Sequence, residues 1–82
     1  MIPEGTEYVW TPAVETPRVG FVQRRAFYKI YKNVWLSWAP FTEEWVVSNN
    51  PQSWFDTEVD LGYLVDVKTF LDPSFISIKE RV

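Results

Sequence analysis

The stretch FYKIYKNVWLSWAPFTEEWVVSNNPQSWF, residues 27 to 55, limits what this chain can become more than any other feature. It holds four of the five tryptophans (Trp35, Trp38, Trp45 and Trp54) along with Phe27, Tyr28, Tyr31, Phe41 and Phe55. A chain of 82 residues buries only a modest fraction of its surface. Large aromatics remove the most area from water per residue, so they do most to make so small a core stable. The stretch is therefore read as the core, with the other segments packed onto it.

Length fits one domain, and the apolar and aromatic content is that of a folded chain. There is no cysteine and no histidine. The first absence excludes disulfides and thiolate chemistry and is compatible with a reducing compartment. The second removes the commonest general base and the commonest transition-metal ligand. No apolar run approaches the roughly 18 to 20 residues that span a bilayer. The segment MIPEGTEY has neither the basic nor the apolar region of a signal peptide. The expectation is a cytoplasmic, non-enzymatic protein with no metal, no cofactor and no membrane partner.

Along the chain, residues 1 to 17 carry Pro3, Pro12 and Pro17, and two Thr-Pro steps keep the backbone extended. They are read as an extended N-terminal arm, with Glu7 to Trp10 a short edge strand showing Tyr8 and Trp10 on one face. Residues 18 to 82 are read as a single small β-rich domain. Residues 19 to 31 predict one long strand or two strands broken by a bulge. Lys32-Asn33 predicts a two-residue turn that sets Ile30 opposite Trp35 and Phe27 opposite Trp38.

For residues 42 to 50 the signals conflict. Thr42, Glu43 and Glu44 suit a helix start and Asn49-Asn50-Pro51 a stop, but Val46 and Val47 favour strand. Residues 51 to 56 read as a loop carrying Trp54 and Phe55. Val59 to Thr69 alternates like a strand, with Gly62 marking a bulge. Asp72-Pro73 reads as a turn, and Ile76 to Val82 as a final strand, with a short helix as the alternative. The fold class expected is mainly β: a small antiparallel sheet, barrel-like or sandwich, with room for one short helix near 42–50.

Charge is segregated. Arg18, Arg24, Arg25, Lys29 and Lys32 fall in a segment with no acid, and Glu43, Glu44, Asp56, Glu58, Asp60 and Asp66 in one with no base. The reading preferred is a protein-binding module, an adaptor or inhibitor, that offers an acidic surface to a basic partner. Its site would comprise Glu43, Glu44, Trp45, Trp54, Asp56, Glu58 and Asp60, with the two tryptophans as anchors. An ordinary solubilising face is the plain alternative.

The second reading is a single-stranded nucleic-acid surface made of Arg24, Arg25, Lys29, Tyr31 and Lys32, with Phe27 and Tyr28 beside them as stacking platforms. A net charge of −3 and a pI near 4.8 argue against it. A third is a structural subunit of a homo-oligomer, a common route to stability for small domains. A tryptophan row stacking on sugar rings is a less favoured reading, since no secretion signal accompanies it.

The run Asp56-Thr57-Glu58-Val59-Asp60, if extended, would place alternate carboxylates on one face about 7 Å apart. It fails as a calcium loop, because Leu61 stands where glycine is required and Val67 where the bidentate glutamate belongs. The serines have no activating partner in the sequence, and the three glycines form no phosphate-binding loop. Small size, acidity and the lack of Cys and His are a compositional likeness to accessory proteins of phages and mobile elements, and nothing finer.

Overall fold

Residues 8 to 16 run against residues 20 to 28 in one unbroken register. The computed structural model describes residues 2–18 and 20–75. In it, β1 (Tyr8–Trp10) pairs antiparallel with β4 (Ala26–Tyr31), and β2 (Ala13–Thr16) pairs with β3 (Gly20–Gln23). Tyr8 faces Tyr28, Ala13 faces Gln23 and Thr16 faces Gly20, so partner numbers add to the same total in both ladders. The two ladders are halves of one long ribbon, interrupted at Thr11-Pro12 and Arg24-Arg25. Proline has no N–H to give a ladder. Pro12 contributes only its carbonyl, which accepts from the Arg24 N–H at 2.8 Å, while the Thr11 N–H donates the other way, to Tyr63, at 2.8 Å. Residues 20 to 31 form two strands, as one of the two readings had it, but the constant register shows that the break is a gap in the ladder at proline and not a bulge.

The main sheet has the order β6-β5-β4-β1-β7 and is antiparallel throughout, with β5 at Val34–Ala39, β6 at Glu44–Val47 and β7 at Leu64–Asp66. The Lys32-Asn33 turn is present. Both residues have positive φ (50° and 64°), the handedness that matches the twist of the flanking strands. Ile30 lies opposite Trp35, as the turn requires. The fold class is the expected one, mainly β with a small antiparallel sheet; the sheet is open, and the described residues hold two short helices, neither of them at 42–50.

Three local expectations are corrected, and the alternative left open at residues 42 to 50 is decided. Glu7 to Trp10 forms a strand, but β1 sits inside the sheet, paired with β4 on one side and β7 on the other, not at an edge. Residues 44 to 47 are strand, not helix: the two valines prevail, and Glu43 takes a left-handed conformation (φ 55°) that no helix start accepts. Residues 51 to 56 are not a loop, since α1 spans Gln52–Asp60. Val59 to Thr69 is not one strand. It contains the end of α1, a turn, β7 and then α2 (Val67–Leu71). Gly62, at φ 80°, ends the helix rather than bulging a strand. The Tyr63 N–H behind it returns to the Glu58 carbonyl at 3.0 Å. The final strand read at Ile76 to Val82 lies outside the described residues.

Side-chain alternation gives the sheet two faces. Tyr8, Trp10, Ala26, Tyr28 and Trp35 point toward α1, which adds Trp54 and Phe55 to the same cluster. Phe55 stacks flat on Trp35 (4.0 Å, 4°) and meets Tyr28 edge-on (5.2 Å, 85°). Such pairs add about 0.5–1.5 kcal/mol each beyond the area they bury. The opposite face carries Val9, fully buried, with Phe27, Lys29, Leu36, Trp38 and Trp45 half-buried around it.

Candidate functional site

The acidic residues proposed from sequence divide between two places. Glu43, Glu44 and Trp45 belong to the β5–β6 hairpin, and Trp54, Asp56, Glu58 and Asp60 to α1. A helix turns about 100° per residue, so carboxylates two apart point in nearly opposite directions. Asp56 and Asp60 accordingly face solvent while Glu58 faces inward, only 1% exposed. The shared carboxylate face expected of an extended Asp56–Asp60 does not exist. Among the described residues no group of His, Cys, Asp and Glu side chains is placed to hold a cation.

Glu58 is thus corrected from surface to interior. Its Oε1 accepts from the Trp10 indole N–H at 2.8 Å, so β1 and α1 are joined by a hydrogen bond inside the core. Trp54 is half-buried against Trp10 (5.8 Å), Tyr28 and Phe55 and is part of the same packing. Asp56 accepts from the Gln52 amide at 2.9 Å, and the Gln52 carbonyl accepts from the Trp35 indole N–H at 2.8 Å, which pins the start of α1 over β5. Burial of Tyr28 pushes its phenol above the usual range. The Glu58 charge acts in the same direction and the Asn50 amide against it.

Trp45 is also committed. Its ring meets Trp38 edge-on across the hairpin (5.3 Å, 66°) and lies beneath the Lys29 ammonium at 4.9 Å. The N-terminal segment passes over the same spot: a Cβ on Gly5 would stand 3.8 Å from the Trp45 indole nitrogen. What the hairpin presents to water is different. Phe41, at its tip, is fully exposed, with Glu43 and Glu44 exposed beside it and Val46 and Val47 exposed along β6. The sequence places Phe41 with the core, and the structure puts it in water instead. Sequence reasoning also missed both valines. The available signal was Pro40-Phe41-Thr42 between two strand-like runs, an apolar residue where a turn must face water.

The basic residues are spread over their own aromatics. Arg25 lies 5.0 Å from the Phe70 ring, Lys29 over Trp45, and Lys32 5.2 Å from the Tyr31 ring. Tyr31 and Arg24 are exposed, while Phe27 and Tyr28 are not and offer no stacking platform. No helix among the described residues is long and apolar enough to cross a membrane.

The site geometry defines a class no narrower than a small open antiparallel sheet with an exposed, acid-flanked hairpin. Comparison with protein-family models, curated proteins and solved structures finds no match to this chain.

Proposed function

We propose that this chain is a small non-catalytic protein-binding module, an adaptor or inhibitor acting in the cytoplasm, that receives a basic partner on its β5–β6 hairpin. The observation that carries the reading is Phe41, fully exposed at the hairpin tip between Pro40 and the exposed carboxylates of Glu43 and Glu44. Single exposed apolar residues are ordinary, but here Phe41, Val46 and Val47 all belong to one hairpin. Its base is held by the Trp38–Trp45 contact, so the tip is presented on a rigid element. An aromatic anchor ringed by charge is the common composition of a binding hot spot, and the carboxylates would orient and speed encounter with a cationic surface. The anchoring role moves from Trp45 and Trp54, both packed internally, to Phe41.

Nucleic acid as the partner draws less support. Arg25, Lys29 and Lys32 each lie against a ring of this chain, and the net charge is negative. The test is a tagged pull-down from lysate with nuclease, comparing the native chain with Phe41→Ala and with Glu43→Lys/Glu44→Lys. A protein retained in stoichiometric amount by the native chain and lost by both variants supports the module. Equal retention by the variants overturns the site, and bound material that disappears with nuclease moves the assignment to nucleic acid.

A further inference from the structure

The two edges of the sheet are managed differently. The β7 edge is three residues long and passes directly into α2, whose first turn is capped by the Asp66 side chain at the Thr69 N–H (2.8 Å). The β6 edge has no such device. It contains no proline and no lysine, and among the described residues nothing pairs with its outer side. Natural sheets usually block such an edge, because its free N–H and C=O groups are a template for another strand.

Which groups are free follows from the register. The Ser48 N–H donates to the Trp35 carbonyl at 2.9 Å, and Trp35 opposite Ser48 extends the Leu36–Val47 pairing by one step. Bonded and non-bonded pairs alternate in an antiparallel ladder. Val46 and Glu44 therefore turn their backbone groups inward to Ser37 and Ala39, while Trp45 and Val47 turn theirs outward. Val47, 65% exposed, and Val46 flank that row on opposite faces of the sheet. Glu43 and Glu44 stand at its start.

We propose that β6 is a strand-addition site whose occupant is an extended, lysine- or arginine-bearing segment of the partner protein, bonded to the backbone of Trp45 and Val47. The proposal rests on the protein-binding reading above and specifies its mode. Main-chain bonds supply affinity in such complexes and side chains supply selectivity. Charge chooses the occupant here. The edge begins at two exposed carboxylates, and the cation nearest it, Lys29, is engaged over the Trp45 ring at 4.9 Å, so a basic strand is attracted, whereas a second copy of this chain would bring two more glutamates to the same place.

The experiment follows amide hydrogen exchange at Trp45 and Val47 by NMR, with a capped peptide of alternating lysine and valine, the length of β6, at millimolar concentration. The expected result is slowing of both amides by about tenfold or more, reduced by salt. An alternating glutamate–valine peptide should leave both unchanged. Absence of slowing overturns the proposal, as does equal slowing by the acidic peptide. Slowing that grows with protein concentration and needs no peptide also overturns it, in favour of self-pairing. Val47→Pro sharpens the result, because it removes an outward N–H and no ladder bond, so the fold survives while the edge is blocked. Circular dichroism checks the fold, and Trp45 protection by the peptide should vanish in this variant. In the lysate experiment, a Val47→Pro chain that keeps a partner lost by Phe41→Ala would refute strand addition and leave the module intact.

Discussion

The helix side of the sheet and the β5–β6 hairpin use the same residue types to opposite ends. Under α1, aromatic rings are packed ring on ring and a carboxylate is enclosed with an indole N–H for partner. At the hairpin tip, an aromatic ring and two carboxylates stand in water. Nothing in the chemistry of Glu58 and Glu44, or of Phe55 and Phe41, separates them. What separates them is the element each sits on and the side of that element it occupies. Composition can therefore locate a dense aromatic, acidic stretch but cannot say which members hold the fold and which meet a partner.

The comparison is tested most strongly by truncating its two phenylalanines. Phe55→Ala empties the space between Trp35 and Tyr28 and should cost about 3–5 kcal/mol, which is comparable with the whole stability of a small domain. Phe41→Ala should lie within about 0.5 kcal/mol of the native chain, as exposed positions do. Urea unfolding followed by tryptophan fluorescence reads both. Similar losses at the two positions would mean that the hairpin tip is packed after all.

The carboxylates give the next largest contrast. Glu58→Ala leaves the Trp10 indole N–H buried without its acceptor, which should cost about 1–3 kcal/mol. Glu58→Gln keeps an acceptor in place and should lose less, while Glu44→Ala should leave the unfolding midpoint where it is. If Glu58→Ala and Glu44→Ala unfold at the same denaturant concentration, the buried bond is not a stabilising one.

Tyr28 extends the contrast to pH. Its phenol is held above the usual value of about 10, first by burial. A raised folded pKa means that the neutral form is favoured in the fold. The contribution is complete below the unfolded pKa and is lost as pH rises through the folded one. Stability should therefore decline above about pH 10, and Tyr28→Phe should flatten that decline. An alkaline limb that is identical in the two chains would assign the effect elsewhere.

How much was legible beforehand follows from particular residues. The strand–turn–strand at residues 26 to 39 was readable because Lys32-Asn33 is short, tolerates positive φ and fixes a register that the aromatics obey. α1 was not readable, and Glu58 is the reason. A helical stripe expects apolar residues at 54, 55 and 58, and a glutamate at the third position erased the period. Its indole partner lies 48 residues away on β1, a separation that no local pattern carries. The alternation from Val59 to Thr69 misled for the complementary reason: Val59 and Leu61 are exposed at the helix end and turn, while Tyr63 and Leu64, adjacent in sequence, are both buried. At the candidate site, Glu43 and Glu44 were legible as exposed charge. Phe41 was legible only through Pro40-Phe41-Thr42, a turn between strand-like runs, and the density of core aromatics around it masked that signal.

The smallest effect concerns Asp66, which lies between the two extremes as an exposed carboxylate with a structural duty. It accepts the Thr69 N–H at the start of α2, and that bond, the largest influence, holds its pKa below the usual carboxylate range. A depressed folded pKa gives stability that is present above the unfolded value and is lost as pH falls through the folded one. The acid limb below about pH 4 should therefore include Asp66. Asp66→Asn still caps the helix but does not titrate. It should leave the neutral-pH melting temperature nearly unchanged and make the acid limb shallower, whereas Asp66→Ala should lower the melting temperature slightly at every pH above that limb. Thr69 amide exchange distinguishes the cap from a general charge effect, because it should accelerate in Asp66→Ala and not in Asp66→Asn. Acceleration in both would place the stabilisation in the charge of Asp66 rather than in its hydrogen bond, and exposed carboxylates of this chain would then have to be ranked by field, not by contact.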